Sequence, residues 1–71
     1  MKIKYNPKED ALYIELSNQP IDDSDELGKF LVIKYDKNHE PVGIELLQAS
    51  RLFDGKREVN IELSLTESSK T

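Results

Sequence analysis

The sequence predicts a mainly β domain: an antiparallel β-meander of four to five strands with at most one short helix, with an α+β arrangement as the alternative. Three observations predict it. Apolar and polar residues alternate with period two in several separate segments, the pattern of a strand with one face buried. Clusters of Asn, Asp, Pro and Gly separate those segments, as turns do. Only the window around residues 48–54 carries helix punctuation.

Lys2-Ile3-Lys4-Tyr5 is the first alternating segment, placing Ile3 and Tyr5 on the core face and both lysines outward. In Asn6-Pro7-Lys8-Glu9-Asp10, Pro7 fixes φ and removes a donor while Asn6 and Asp10 bond nearby amides, so a hairpin turn is expected. From Leu12 to Ser17, Leu12, Ile14 and Leu16 share one face, and Tyr13, Glu15 and Ser17 the other. Residues 17–28 hold Pro20, Gly28 and the carboxylates Asp22, Asp23, Asp25 and Glu26, and read as a loop with room for one helical turn. Phe30–Tyr35 is rich in β-branched and aromatic residues and reads as the third strand. Asp36–Pro41 supplies turn chemistry before Val42–Leu47, whose alternation puts Val42, Ile44 and Leu46 inward.

Toward the C-terminus, Ser50 can cap and Gly55 can end one or two helical turns over 48–54. Val59–Leu65 then alternates most regularly of all and reads as a fifth strand, completing the same sheet or pairing with another subunit. Residues 67–71 are small and polar and are expected to fray, so the single domain is expected over 1–66.

At 71 residues there is material for one core, because a domain this size buries only about 60% of the surface its unfolded chain exposes. Such a core rarely supplies more than about 3–5 kcal/mol, which makes a homo-oligomer, dimer or higher, the expected state. The net charge of −4 disfavours nucleic acid, whose phosphates are neutralised by Lys and Arg, and favours a small basic protein as partner. The chain has no cysteine, which excludes disulfides and thiolate metal sites and suits a reducing cytoplasm. No stretch has the length and apolarity of a signal peptide or a membrane span, so a cytoplasmic protein without membrane contact is expected.

The residues offer little chemistry. His39 is the only histidine and lies in a turn, without a second ligand or a nucleophile to activate; no enzyme, catalytic residue, resident metal or cofactor is expected. Asp22, Asp23, Asp25 and Glu26 lack the spacing and mid-loop glycine of an EF-hand. They read first as a solvated or docking loop for a basic partner, and as a ligand or divalent-metal sensor in the alternative. Lys2, Lys4 and Lys34 with Tyr13 outline a base-stacking face, but Glu15, Glu45 and Glu62 interrupt it, and cross-strand Lys–Glu pairing accounts for the same residues. Tyr13, Val32 and Leu47 fall off the main core register of their strands. They are the candidate interface, with burial under a loop or the terminal segment as the competing explanation.

Taken together, Tyr5-Asn6-Pro7-Lys8-Glu9-Asp10-Ala11-Leu12-Tyr13-Ile14-Glu15-Leu16-Ser17, the acidic segment, Val32-Ile33-Lys34-Tyr35-Asp36 and Val42-Gly43-Ile44-Glu45-Leu46-Leu47-Gln48-Ala49-Ser50 resemble domain-of-unknown-function family 2283 over about residues 2–52. The chain departs from the family pattern at Asn6, where aspartate is frequent, and after Leu52. The resemblance implies a small β-rich prokaryotic domain with no established catalytic residues. It also implies an antitoxin-like protein-binding role, since some members look like partners of small toxin-like proteins. A non-enzymatic, self-associating binding module is therefore the expectation.

Overall fold

A computed structural model of the chain describes residues 1–56 and 60–66. Five antiparallel strands form one sheet: β1 Lys2–Asn6, β2 Ala11–Glu15, β3 Asp23–Leu27, β4 Leu31–Tyr35 and β5 Pro41–Leu47. A single helical turn, α1, covers Ser50–Phe53. The mainly β antiparallel architecture and both expected hairpin pairings, β1 with β2 and β4 with β5, are present.

The spatial order is β1-β2-β5-β4-β3. Strands β3, β4 and β5 run as a meander, and the link from β2 carries the chain to the far edge, so that β2–β5 form a Greek key to which β1 adds a hairpin. Residues 16–22 make that crossing along the end of the sheet. The Leu16 and Ser17 amides donate to the Val42 carbonyl at 2.9 and 3.2 Å, and the Asp22 amide donates to the Tyr35 carbonyl at 2.7 Å. The link is thus stitched in turn to β5 and β4 before β3 begins.

Two expectations are corrected. The acidic segment is not a loop, because Asp23–Leu27 pairs with β4 along its whole length, from Asp23 opposite Tyr35 to Leu27 opposite Leu31. Asp is a poor strand former, but strand preference reflects the surroundings more than the backbone; β4 offers a ready template, and Gly28 at φ 72° permits the reversal between them. Charged side chains are also what a solvent-facing edge strand tolerates best. The second correction concerns the fifth strand expected over 59–65. Residues 60–66 have no regular secondary structure, and Val59 lies outside the described residues, as does the expected frayed tail 67–71. Alternation supplies strand propensity, but a strand forms only when it pairs, and Asn60–Thr66 pairs with neither edge of the sheet.

The helix is one turn long, the shorter of the two lengths expected. Ser50 is its first residue rather than its cap, since Ala49 occupies the cap position, and Asp54 ends it in the left-handed conformation. The Ser50 side chain is committed elsewhere: its Oγ donates to Asp10 Oδ2 at 2.6 Å. Phe53 packs edge-on against Tyr5 at 5.0 Å, and the Arg51 guanidinium lies 3.7 Å over the Phe30 ring, a cation–π contact. The helix is pinned in this way to the end of the sheet where the β1–β2 and β3–β4 turns lie.

Candidate interaction surface

Strand register sorts every side chain onto one of two sheet faces, since residues directly opposite one another point the same way. Ile3 opposes Ile14, Ile14 opposes Ile44, and Ile44 opposes Ile33. Tyr5 opposes Leu12, Leu12 opposes Leu46, Leu46 opposes Leu31, and Leu31 opposes Leu27. Two apolar rows therefore run over the sheet, the leucine row across all five strands and the isoleucine row across β1, β2, β5 and β4 until it meets Asp25 on β3, and they contain most of the side chains the alternation assigned to the core.

That core is incomplete. The buried apolar residues are Ala11, Val32, Val42 and Ala49, whereas Leu12, Ile14, Leu31, Ile33, Ile44 and Leu46 are only partly buried. At the margins Ile3 is 42% exposed, Leu16 40% and Leu27 49%. The cause is geometric. A sheet hides its apolar face only beneath a second layer, and among the described residues the one-turn helix at the sheet's end is the sole other element. Covering what remains exposed of one such Ile or Leu, at most about a third of its surface, is worth under about 1 kcal/mol, given about 1.5–3 kcal/mol for full burial.

The opposite face is finished by its own chain. Lys34 Nζ sits 3.6 Å from Glu45 Oε1, one of the cross-strand pairs expected there. Tyr13, opposite Glu45, lays its ring over Gly43, where an added Cβ would overlap the ring, with Cε1 2.8 Å away. Burial, then the Glu15 and Glu45 carboxylates, push the Tyr13 phenol above its ordinary value. The three candidate interface residues share this face: Val32 is buried, Tyr13 and Leu47 half-buried, with Val32 opposite Glu26 and Glu45 and Leu47 opposite Ala11. Beside Tyr13 lies a shallow groove of about 400 Å³, whose lining includes Lys4, Ala11 and Glu45.

A tight polar cluster locks the helix end. Asp10, in a left-handed conformation at φ 51°, accepts from the Ser50 amide at 2.9 Å and the Tyr5 hydroxyl at 2.7 Å as well as from Ser50 Oγ. The Ser50 side chain foremost, then Tyr5, holds the Asp10 carboxyl below its ordinary range, while the bond to Asp10 raises the Tyr5 phenol. Each partner here is satisfied by another, which marks the cluster as a fastening.

The acidic residues separate. Asp22 precedes β3, while strand alternation sends Asp23 and Asp25 to the apolar face and Glu26 to the other. No three His, Cys, Asp or Glu side chains gather to hold a metal ion among the described residues. His39, at φ 63°, stacks on Tyr35 at 4.2 Å, and the Asp36 carboxylate accepts from the Asn38 and Glu40 amides in the same turn. No helix among the described residues is long and apolar enough to cross a membrane.

Among the described residues these features define a single-layer antiparallel β domain with one finished face and one apolar face without a second layer. By its family model, matched over residues 2–50, the chain belongs to the family described as Protein of unknown function (DUF2283). Comparison with curated proteins and with solved structures gives no match.

Reading the strands one at a time marks Ile14 and Ile44 as interior and looks for an interface among residues outside that register. The missing signal was a count of layers: five strands' worth of inward side chains and one helical turn leave no second layer among the described residues.

Proposed function

We propose that this chain is a non-enzymatic binding domain that works by covering its apolar sheet face with protein, self-associates, and takes a small basic protein along the acidic edge β3 in an antitoxin-like role. The observation that carries the reading is the pair of apolar rows with no second layer among the described residues. An exposed contiguous apolar surface rimmed by polar residues is the usual mark of a protein interface. Strand β3 supplies charge complementarity, with Asp23, Asp25 and Glu26 on a fully exposed edge free of basic residues, where complementary charge chiefly speeds encounter and selects partners. Association through the face bearing Tyr13 is the weaker form of this reading, because Gly43, Lys34 and Glu45 already occupy that surface.

The test is co-purification of the tagged full chain from its native host at low and at about 1 M salt, where screening is nearly complete beyond roughly 3 Å. A basic protein should be held at low salt, released at high salt, and lost from an Asp23→Lys/Asp25→Lys variant. If wild type and variant retain the same proteins at both salt concentrations, the docking role of β3 is wrong.

A further inference from the structure

We propose that residues 60–64 of a second copy of this chain pair with the open edge of β1 as an antiparallel sixth strand, Glu62 opposite Lys4, the two copies exchanging these segments reciprocally. This rests on the self-association proposed above and gives it a contact.

Strands β1 and β3 are the two edges of the sheet, and the open amides and carbonyls of an edge are a template for another strand. Neither edge suits its own image across a two-fold axis. Pairing β1 with β1 sets lysine beside lysine, and pairing β3 with β3 sets acid beside acid; like charges opposite one another in a sheet are destabilising. A different strand is needed, and the chain carries one that its own sheet leaves unused. Asn60–Thr66 alternates strictly, exposes Ile61 by 64% and Leu63 by 74%, and pairs with neither edge.

Pattern and charge select the edge. Laid antiparallel along β1, Asn60–Ser64 matches it position by position, with Ser64 facing Lys2, Leu63 facing Ile3, Glu62 facing Lys4, Ile61 facing Tyr5 and Asn60 facing Asn6. Ile3 and Tyr5, 42% and 39% exposed, lie on the apolar face, so Leu63 and Ile61 prolong both apolar rows past β1. Glu62 arrives on the opposite face beside Lys4, which makes no ion pair among the described residues. A slip of one residue would turn every one of these side chains to the wrong face. Strand β3 offers no such match. Its apolar-face positions are Asp23, Asp25 and Leu27, so the segment would lay its apolar side chains against carboxylates or, turned over, set Glu62 among them.

The connection favours exchange between copies. Directly after the helical turn, Asp54 and Gly55 both take left-handed backbone, at φ 53° and 72°, and the Lys56 amide donates to the Phe53 carbonyl at 2.9 Å. A short hinge of this kind, with a non-glycine residue at positive φ, favours swapping an element with a second copy over closing it within one.

The experiment uses the full chain. Light scattering after gel filtration, from micromolar to millimolar, should give the mass of a dimer. Leu63→Pro, at a site exposed in the single chain, should keep the circular dichroism of the fold and give the mass of a monomer. Lys4→Glu should weaken the dimer several-fold, and Lys4→Glu/Glu62→Lys should restore it. The chain contains no cysteine, and residues opposite one another in an antiparallel pair lie about 4.5–5.5 Å apart, within disulfide reach. Mixed and oxidised, the Ile3→Cys and Leu63→Cys proteins should form a disulfide-linked pair, whereas Ile3→Cys mixed with Glu62→Cys, which points to the other face, should not. A loss in Lys4→Glu that Glu62→Lys does not restore overturns the register. An intrachain disulfide in the Ile3→Cys/Leu63→Cys protein, with none in the mixture, overturns the second copy. A dimer that survives Leu63→Pro overturns this contact and leaves self-association standing; a monomer at all concentrations overturns both.

Discussion

Replacing Gly43 by Ala isolates the contact that finishes the face opposite the open one. In a strand interior alanine gains about 0.5–1 kcal/mol over glycine by restricting the unfolded chain. Here the new methyl would overlap the Tyr13 ring, with Cε1 2.8 Å away, forcing the ring to lift from a half-buried site between Glu15 and Glu45. Overpacking of this kind costs about 1–3 kcal/mol, so the net expectation for Gly43→Ala is a loss of about 0.5–2 kcal/mol. In a chain this small that lowers Tm by several degrees, at about 4–8 °C per kcal/mol. The background variant Tyr13→Ala removes the ring, and in it Gly43→Ala should stabilise by about 0.5–1 kcal/mol. Urea unfolding of the four proteins at equal concentration gives the coupling directly. Equal effects of Gly43→Ala in both backgrounds would refute the idea that the Tyr13 ring is what requires glycine at 43.

Acid unfolding should report on Asp10: its carboxyl is held low in the folded state, so its contribution is present above the unfolded value near pH 4 and fades as pH falls through the lower folded value. Asp10→Asn should weaken the protein at pH 7 and flatten its stability loss below about pH 4, as followed by circular dichroism. Tyr5 has the opposite sign: its raised phenol contributes below its unfolded value near pH 10 and loses that contribution as pH climbs through the higher folded value, so Tyr5→Phe should flatten the alkaline limb. Phe53→Leu should cost about 0.5–1.5 kcal/mol by losing the edge-on contact with Tyr5, measured by thermal unfolding, whereas Leu65→Ser, at a site 90% exposed, should stay within about 0.5 kcal/mol. If the chain pairs with a second copy, tenfold dilution should remove about 1.4 kcal/mol per dimer and lower Tm measurably; a concentration-independent Tm would contradict it.

The parts of the fold legible in the sequence were those governed by local rules. Alternation located β1, β2 and β5, the β-branched and aromatic run located β4, and turn chemistry at Asn6–Asp10 and Asp36–Pro41 fixed the two hairpins. What escaped depended on context. Asp23–Leu27 has the composition of a loop and becomes a strand because it pairs with β4, while Asn60–Thr66 has the alternation of a strand and stays irregular because it pairs with neither sheet edge. Tyr13 shows the same limit on the smaller scale of a single side chain. Its position outside the core register suggested association, yet its partner is Gly43, two positions diagonal to it on the neighbouring strand, a relation visible only once the register is known.

The two faces also divide the work of stability differently. On the polar face the ring over Gly43, the Lys34–Glu45 pair and buried Val32 are satisfied within one chain. On the apolar face Ile14, Ile33, Ile44, Leu12, Leu31 and Leu46 each keep part of their surface in water, and only something outside the described layer can remove it. Folding and the proposed association would therefore draw on the same side chains, as they do in obligate dimers, whose interfaces resemble a divided core. A polar substitution at Ile44 would impair both together, while a charge change at Asp25 on the exposed rim would alter partner choice with little effect on the fold. Separating those two classes of variant is what distinguishes a surface that holds the sheet together from one that selects what binds to it.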